Sequence, residues 1–236
     1  MNTNQLEIKL DKLSEQYESS NNSAILDDIE QVFKEYLKDN PQDNNILIKF
    51  AIFLSEGPIG DYPQAIALLK NLLKIDPGEI KALLVLSEIQ YFNIRIDTET
   101  FKMLSTTKTD DLALMSMVEY MMAQYFFLND KKKYEEHLIN SVNLYPCHVK
   151  NHQKLAKIYI NRGNINEGCI LLKKALRNIT CVWPEAYVYF PYGLFKITTV
   201  DKYITEFITG TYISNSNLKQ LGEYYKSVST LNSDPK

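Results

Sequence analysis

The residues best suited to chemistry crowd into one stretch: His137, Cys147, His148 and His152. His148 and His152 stand i, i+4 apart near an expected helix start, a spacing that brings two imidazoles to one helix face and can hold zinc. A metal centre needs three or four ligands, and no carboxylate shares this short motif, so no metal site is expected. Catalytic signatures are missing: the chain has no P-loop, no glycine-rich dinucleotide fingerprint, no HExxH and no CxxC. Ser105–Thr106–Thr107–Lys108 fits SxxK, but it lies in a polar stretch without partner motifs. Asn21–Asn22–Ser23 and Asn178–Ile179–Thr180 are sequons that carry no meaning in a cytosolic protein. Neither enzymatic activity nor a cofactor is expected.

The elements that must position these side chains are helical. Only 8 Gly and 8 Pro in 236 residues leave too little turn chemistry for a β-sandwich, while 45% hydrophobic and 23% charged residues suffice for a packed core. The net charge of −3 and a pI near 5.7 offer no global attraction to nucleic acid or anionic lipid. No apolar run approaches the length of a membrane span, and the N-terminal MNTNQLEIKLDKL lacks the apolar core of a signal peptide. Cys147, Cys169 and Cys181 are odd in number and scattered, which suits reduced thiols. A cytoplasmic protein that engages neither membrane nor nucleic acid is expected.

Gly60 to Pro77, GDYPQAIALLKNLLKIDP, organises the rest. Gly60–Asp61 makes a turn, Ala65, Leu68, Leu69, Leu72 and Leu73 form a helical stripe, and Asp76–Pro77 ends it, because the residue before proline is driven from the α region. Pro41, Pro77 and Pro146 close helices at intervals of 36 and 69 residues. Leu155–Ala156, Tyr159, Gly163–Asn164, Gly168, Leu172 and Ala175 repeat the pattern most completely. These residues resemble the tetratricopeptide repeat (TPR), a family of 34-residue helix–turn–helix units stacked into solenoids. The resemblance covers residues 6 to 180. It is strong in the units at 44–77 and 148–176 and weak in the third, where 97–105 keeps only Phe101 and Leu104.

The resemblance implies an all-α, right-handed solenoid of about five helix pairs over residues 1–180, a divergent C-terminal cap over 181–230 and a disordered tail at 231–236. It also implies a non-catalytic scaffold that holds a protein or peptide in a concave groove lined by the first helix of each pair. Projected onto that register, Asp11, Glu15 and Glu18 make the groove acidic at one end. Leu84, Val85, Tyr91, Phe92, Glu119, Tyr120, Phe126 and Phe127 line its middle, and Lys150, Lys154 and Lys157, at i, i+4 and i+7, make its other end basic. The charged rows could equally be solvated faces, and the aromatics could be covered by the C-terminal segment. Left bare, the aromatics would form a patch too large for a soluble monomer to leave unused. The carboxylate clamp of some chaperone-binding members is not reproduced, since Tyr120 replaces its middle Asn, and Leu84 and Glu88 its first pair. Two alternatives stay open: an immunity-type protein that neutralises a bacterial toxin, and an enzyme or accessory subunit with its site in 181–230. The oligomeric state is left undetermined.

Overall fold

The computed structural model describes residues 1–55, 59–182, 200–201, 203–204 and 215–230. Among them are eleven helices and no strand. They are α1 (Thr3–Ser20), α2 (Ala24–Asp39), α3 (Asn44–Ser55), α4 (Tyr62–Ile75), α5 (Ile80–Asn93), α6 (Thr98–Thr106), α7 (Leu112–Phe126), α8 (Lys131–Leu144), α9 (Val149–Asn161), α10 (Ile165–Val182) and α11 (Asn215–Thr230). Of the C-terminal cap expected over 181–230, residues 183–199, 202 and 205–214 lie outside the described residues, as does the tail expected at 231–236.

Local chemistry sets the helix boundaries. Aspartates start four helices by accepting backbone N–H groups that the first turn leaves unpaired: Asp61 from Gln64, Asp97 from Thr100, Asp111 from Ala113 and Leu114, and Asp130 from Lys132 and Lys133. At the other end, Asn40, Asp76 and Tyr145 leave helical geometry directly before a proline, each closing its helix with a last amide bond to a carbonyl four residues back. Gly163 adopts φ +85° in the tight turn between α9 and α10, a conformation that a side chain would strain.

The described residues fall into two compact units: those of Met1–Arg95 with Tyr192–Tyr203, and those of Ile96–Pro191 with Ile204–Lys236. The division falls inside the third helix pair, between α5 and the nine-residue α6. In the first unit α1 packs on α2, α3 on α4, and α5 on both α3 and α4. The core carries Phe33 against Phe50 at 5.0 Å and against Phe53 at 5.5 Å. Lys49 is 3% exposed and reaches Glu7 of α1 through its ammonium group. In the second unit α7 packs on α8, α8 on α9, α9 on α10, and α10 on α11. Val228 of α11 is buried, and α11 packs on α10.

The α9–α10 crossing shows why its motif residues are small. Ala156 is fully buried, and a Cβ on Gly168 would stand 3.1 Å from the Ala156 carbonyl oxygen and overlap Ile160 Cγ1. A larger side chain must force the two backbones apart, at a typical cost of about 1–3 kcal/mol or more. Gly168→Leu is therefore expected to lower the melting temperature by about 5 °C or more, given roughly 2–4 °C per kcal/mol at this size. A melting curve that superimposes on the parent's would show that the helices do not meet at this residue.

Candidate functional site: a basic and aromatic surface on the second unit

The site is built on a buried polar junction. Ser116 of α7 donates its hydroxyl to the Ser141 carbonyl at 2.8 Å, and Ser141 of α8 returns a bond to the Ser116 carbonyl at 2.5 Å. The two hydroxyls also lie 2.9 Å from each other, and Ser116 Oγ is 3.4 Å from His148 Nδ1. The Asn151 amide then donates to Ser141 Oγ and, at 2.7 Å, to Nδ1 of His148, the residue that begins α9. His152 Nδ1 faces the His148 carbonyl at 2.9 Å, so it carries the proton there. All five side chains, those of Ser116, Ser141, His148, Asn151 and His152, are buried to 0% exposure.

This geometry decides what the two histidines do. His148 Nδ1 accepts from Asn151 and therefore holds no proton, and burial, reinforced by Lys150, His152 and Lys154, pushes its pKa well below the usual histidine range. Burial also lowers His152, opposed by its bond to the His148 carbonyl. Nδ1 of each is engaged within the α9 segment, His148 by Asn151 and His152 by the His148 carbonyl, with Ser116 Oγ of α7 3.4 Å from His148 Nδ1. His137 is elsewhere, paired with Glu119 at 2.8 Å. Among the described residues no group of three or more His, Cys, Asp or Glu is placed to hold a metal ion.

Above the junction lies the surface. Tyr120 is 2% exposed, its ring 4.9 Å from that of His148. The ring sits under Lys154, whose Nζ is 5.3 Å from its centroid and 6.0 Å from that of Phe127. Both distances are within reach of a cation–π attraction. Lys154 also donates to Gln124 Oε1 at 2.6 Å, and Gln124, itself buried, donates to the Tyr120 carbonyl at 3.2 Å. Burial, and then the charges of Lys150 and Lys157, bring the Lys154 pKa down from 10.5 to about 8. Lys157 is exposed, Lys150 half-buried and Phe127 49% exposed, with Leu128 beyond it at 75%.

A second aromatic cluster joins α6, α7 and α8. Phe101 stacks on Tyr125 at 4.0 Å, Phe126 meets both edge-on, and His137 lies parallel to Phe126 at 5.5 Å. Lys133 sits 5.0 Å from the Phe126 centroid. Phe126 is half-buried in this cluster, whereas Phe127 turns the other way, toward Tyr134 and Lys154.

The sequence-derived groove residues thus separate. Tyr120, Phe127, Lys150, Lys154 and Lys157 belong to one surface of the second unit, with Phe126 in the cluster beside it. Tyr91, half-buried, and Phe92, 65% exposed, belong to the first unit. Tyr120 is not an exposed anchor, because α9 lies over it through His148 and Lys154. Leu84 and Val85, both 0% exposed, are core residues of α5, whose residues Ala82 through Gln90 are all buried. Glu119 is held by His137 and Asn140. Asp11, Glu15 and Glu18 are exposed on α1. Gln124 and the Ser116–Ser141 pair escaped the sequence reading; Ser116 and Gln124, set among the apolar residues of LALMSMVEYMMAQYF, were the available signal.

These observations define an all-helical repeat fold of the tetratricopeptide type. The solved structures it is similar to include three of MamA. "MamA RS-1 ArsTM double mutant" is 16% identical over 76% of this chain and 97% of that one, with a TM-score of 0.52. "Crystal structure of MamA protein" also has a TM-score of 0.52, at 16% identity over 77% and 97% of the two chains. "Crystal structure of MamA" is 18% identical over 70% and 93%, with a TM-score of 0.51. No protein-family model matches the sequence, and no curated protein matches it. Among the described residues, no helix is long and apolar enough to cross a membrane.

The histidines predict a pH dependence of stability. Their folded pKa values lie below the unfolded value near 6.5, so below that pH the unfolded chain binds protons that the folded chain refuses. Stability is complete above pH 6.5 and falls as the pH drops. A fully depressed histidine loses about 1.4 kcal/mol per pH unit, or roughly 2 kcal/mol between pH 6.5 and 5. Urea unfolding at stepped pH checks this, and His148→Gln should flatten the slope even if it lowers stability at pH 7.5.

Proposed function

We propose that this protein is a non-catalytic binding module, and that the surface formed by Phe127, Lys150, Lys154 and Lys157 takes an acidic segment carrying an apolar side chain. The observation that supports this best is Lys154. A half-buried ammonium with Lys150 and Lys157 beside it on the same helix face concentrates positive charge, which suits an acidic segment. Phe127 supplies the adjoining apolar contact, with Leu128 at its outer edge. Tyr120 acts from beneath, as the ring on which Lys154 rests. The similarity to the MamA structures bears on the fold alone, while the surface chemistry argues for the partner class. Tyr91 and Phe92, the latter 65% exposed, are proposed as a partner contact of the first unit by itself.

Selection of peptides from a displayed random library on the immobilised protein tests this reading. The enriched sequences should place Asp or Glu beside an aromatic or aliphatic residue. For one such peptide, fluorescence anisotropy should show at least a tenfold loss of affinity for Lys154→Glu and for Phe127→Ala, equivalent to about 1.4 kcal/mol. Enrichment of basic or neutral sequences, or unchanged affinity in both variants, would overturn it. Because Lys154 loses its charge near pH 8, the parent should also weaken between pH 7 and 9, whereas Lys154→Arg should hold its affinity over that range.

A further inference from the structure

Helix α1 has two unlike sides. Leu6, Leu10, Ser14 and Tyr17 are buried on one of them. On the other, Ile8 is 61% exposed, and Asp11, Glu15 and Glu18 follow it at three, seven and ten residues, all exposed. That spacing sets the carboxylates beside Ile8 along one helix face, over roughly 15 Å. Lys9 and Lys12 lie at its far edge. Among the described residues, none of the three carboxylates has an ion-pair partner. A bare apolar side chain beside a row of unpaired carboxylates is the kind of segment that the surface of the second unit is proposed to take.

The second unit carries the complement. Phe127 and Leu128, at the turn between α7 and α8, are 49% and 75% exposed. Lys157 stands one helical turn along from Lys154, whose Nζ is 6.0 Å from the Phe127 ring, so the lysine row of α9 borders this apolar pair on one side. On the other, Lys131 and Lys133 open α8, at the end where the helix dipole is already positive. The intervening Asp130 is occupied as the cap of α8, accepting from the backbone of Lys132 and Lys133. Among the described residues, Lys131, Lys133 and Lys157 meet no carboxylate, and Lys132 reaches Glu136 only at 3.9 Å.

We propose that the occupant of this surface is a second copy of the chain, which presents the Ile8, Asp11, Glu15 and Glu18 face of its α1. The inference rests on the function proposed above, since α1 supplies the acidic segment and apolar side chain described there. Ile8 meets Phe127 and Leu128, and the carboxylates meet Lys131, Lys133 and Lys157. The two patches differ, so the contact is head-to-tail: a copy that gives its α1 face keeps its own basic surface open. Assembly therefore continues past the dimer, into rings where the rotation closes and filaments where it does not. Exposed ion pairs contribute little each, so a contact of one helix face is weak and concentration-dependent. The net charge of −3 opposes association of whole chains, which leaves the local complementarity to drive it.

The test is sedimentation velocity of the full chain at low salt, from about 1 to 200 μM, the range of a weak contact. The average sedimentation coefficient should rise with concentration beyond that of a dimer. Salt at about 0.5 M, which shortens the Debye length to roughly 4 Å, should return it toward the monomer. Two variants at exposed positions separate the faces: Ile8→Ser/Glu15→Gln on α1 and Leu128→Ser/Lys157→Gln on the surface, each checked for folding by circular dichroism. Each variant alone should stay monomeric. Their equimolar mixture should form a heterodimer and stop there, because only one intact contact remains between them. A parent that stays monomeric or stops at a dimer, a variant that assembles as the parent does, or a mixture that does not pair would overturn the inference. The two readings fail separately. A monomeric parent that binds the library-selected acidic peptide removes the second copy and leaves the acidic-segment surface standing. Assembly that persists under saturating peptide shows that copies meet elsewhere, and removes this inference alone.

Discussion

The reciprocal hydrogen bonds between Ser116 and Ser141 are the constraint on which the second unit depends. Each hydroxyl closes on the other helix's backbone carbonyl, which fixes the approach of α7 to α8. Asn151 then donates to Ser141 Oγ and to His148 Nδ1, which also faces Ser116 Oγ. That sequence of commitments sets where α9 begins and which way it turns. It therefore determines that Lys154 reaches Gln124 and overlies Tyr120. Buried polar networks bring specificity only when their members find partners, because an unmatched donor or acceptor in a low dielectric is costly. The surface chemistry is in this sense an outcome of the interior.

The first unit solves the same packing problem with apolar shape. Phe33, Phe50 and Phe53 fill its centre, and fully buried Ala51 and Ala65 occupy α3 and α4. Apolar contacts of this kind tolerate substitutions that conserve volume. A junction of two hydroxyls, an amide and an imidazole tolerates few replacements, since each partner defines what the next one must be. The two units thus differ in how narrowly their sequences are constrained, although both are built from the same kind of helix pair.

Much of the architecture was legible because it is local. Proline stops and the small residues at 156 and 168 act over a few positions, so a reading along the chain finds them. The α5 helix shows where that reading gives out. Its residues Ala82 to Gln90 are buried all round, and a helix without a polar face carries no periodicity from which to tell inside from outside. Leu84 and Val85 therefore passed for groove residues. Tyr120 misled for a different reason: its register position is right for a first-helix face, but the residues that cover it, His148 and Lys154, come from another helix, and no local pattern announces such a contact. The lysine row was visible as spacing. Its lowered basicity was not, because that depends on Gln124 and on how deeply α9 sits against α7.

The Lys49–Glu7 pair has a bearing on how such an array could change its length. Terminal repeats in helical arrays are ordinarily the easiest to gain or lose, since each touches a neighbour on one side only. Here α1 contributes more than a covering face. Its Glu7 is the counter-charge for an ammonium that α3 keeps at 3% exposure. Deleting α1 would strand a buried cation, a far heavier penalty than baring an apolar stripe. The first helix is thereby bound to the second pair by charge as well as by contact, and any shorter descendant of this chain would need a neutral residue at position 49 before it could do without α1.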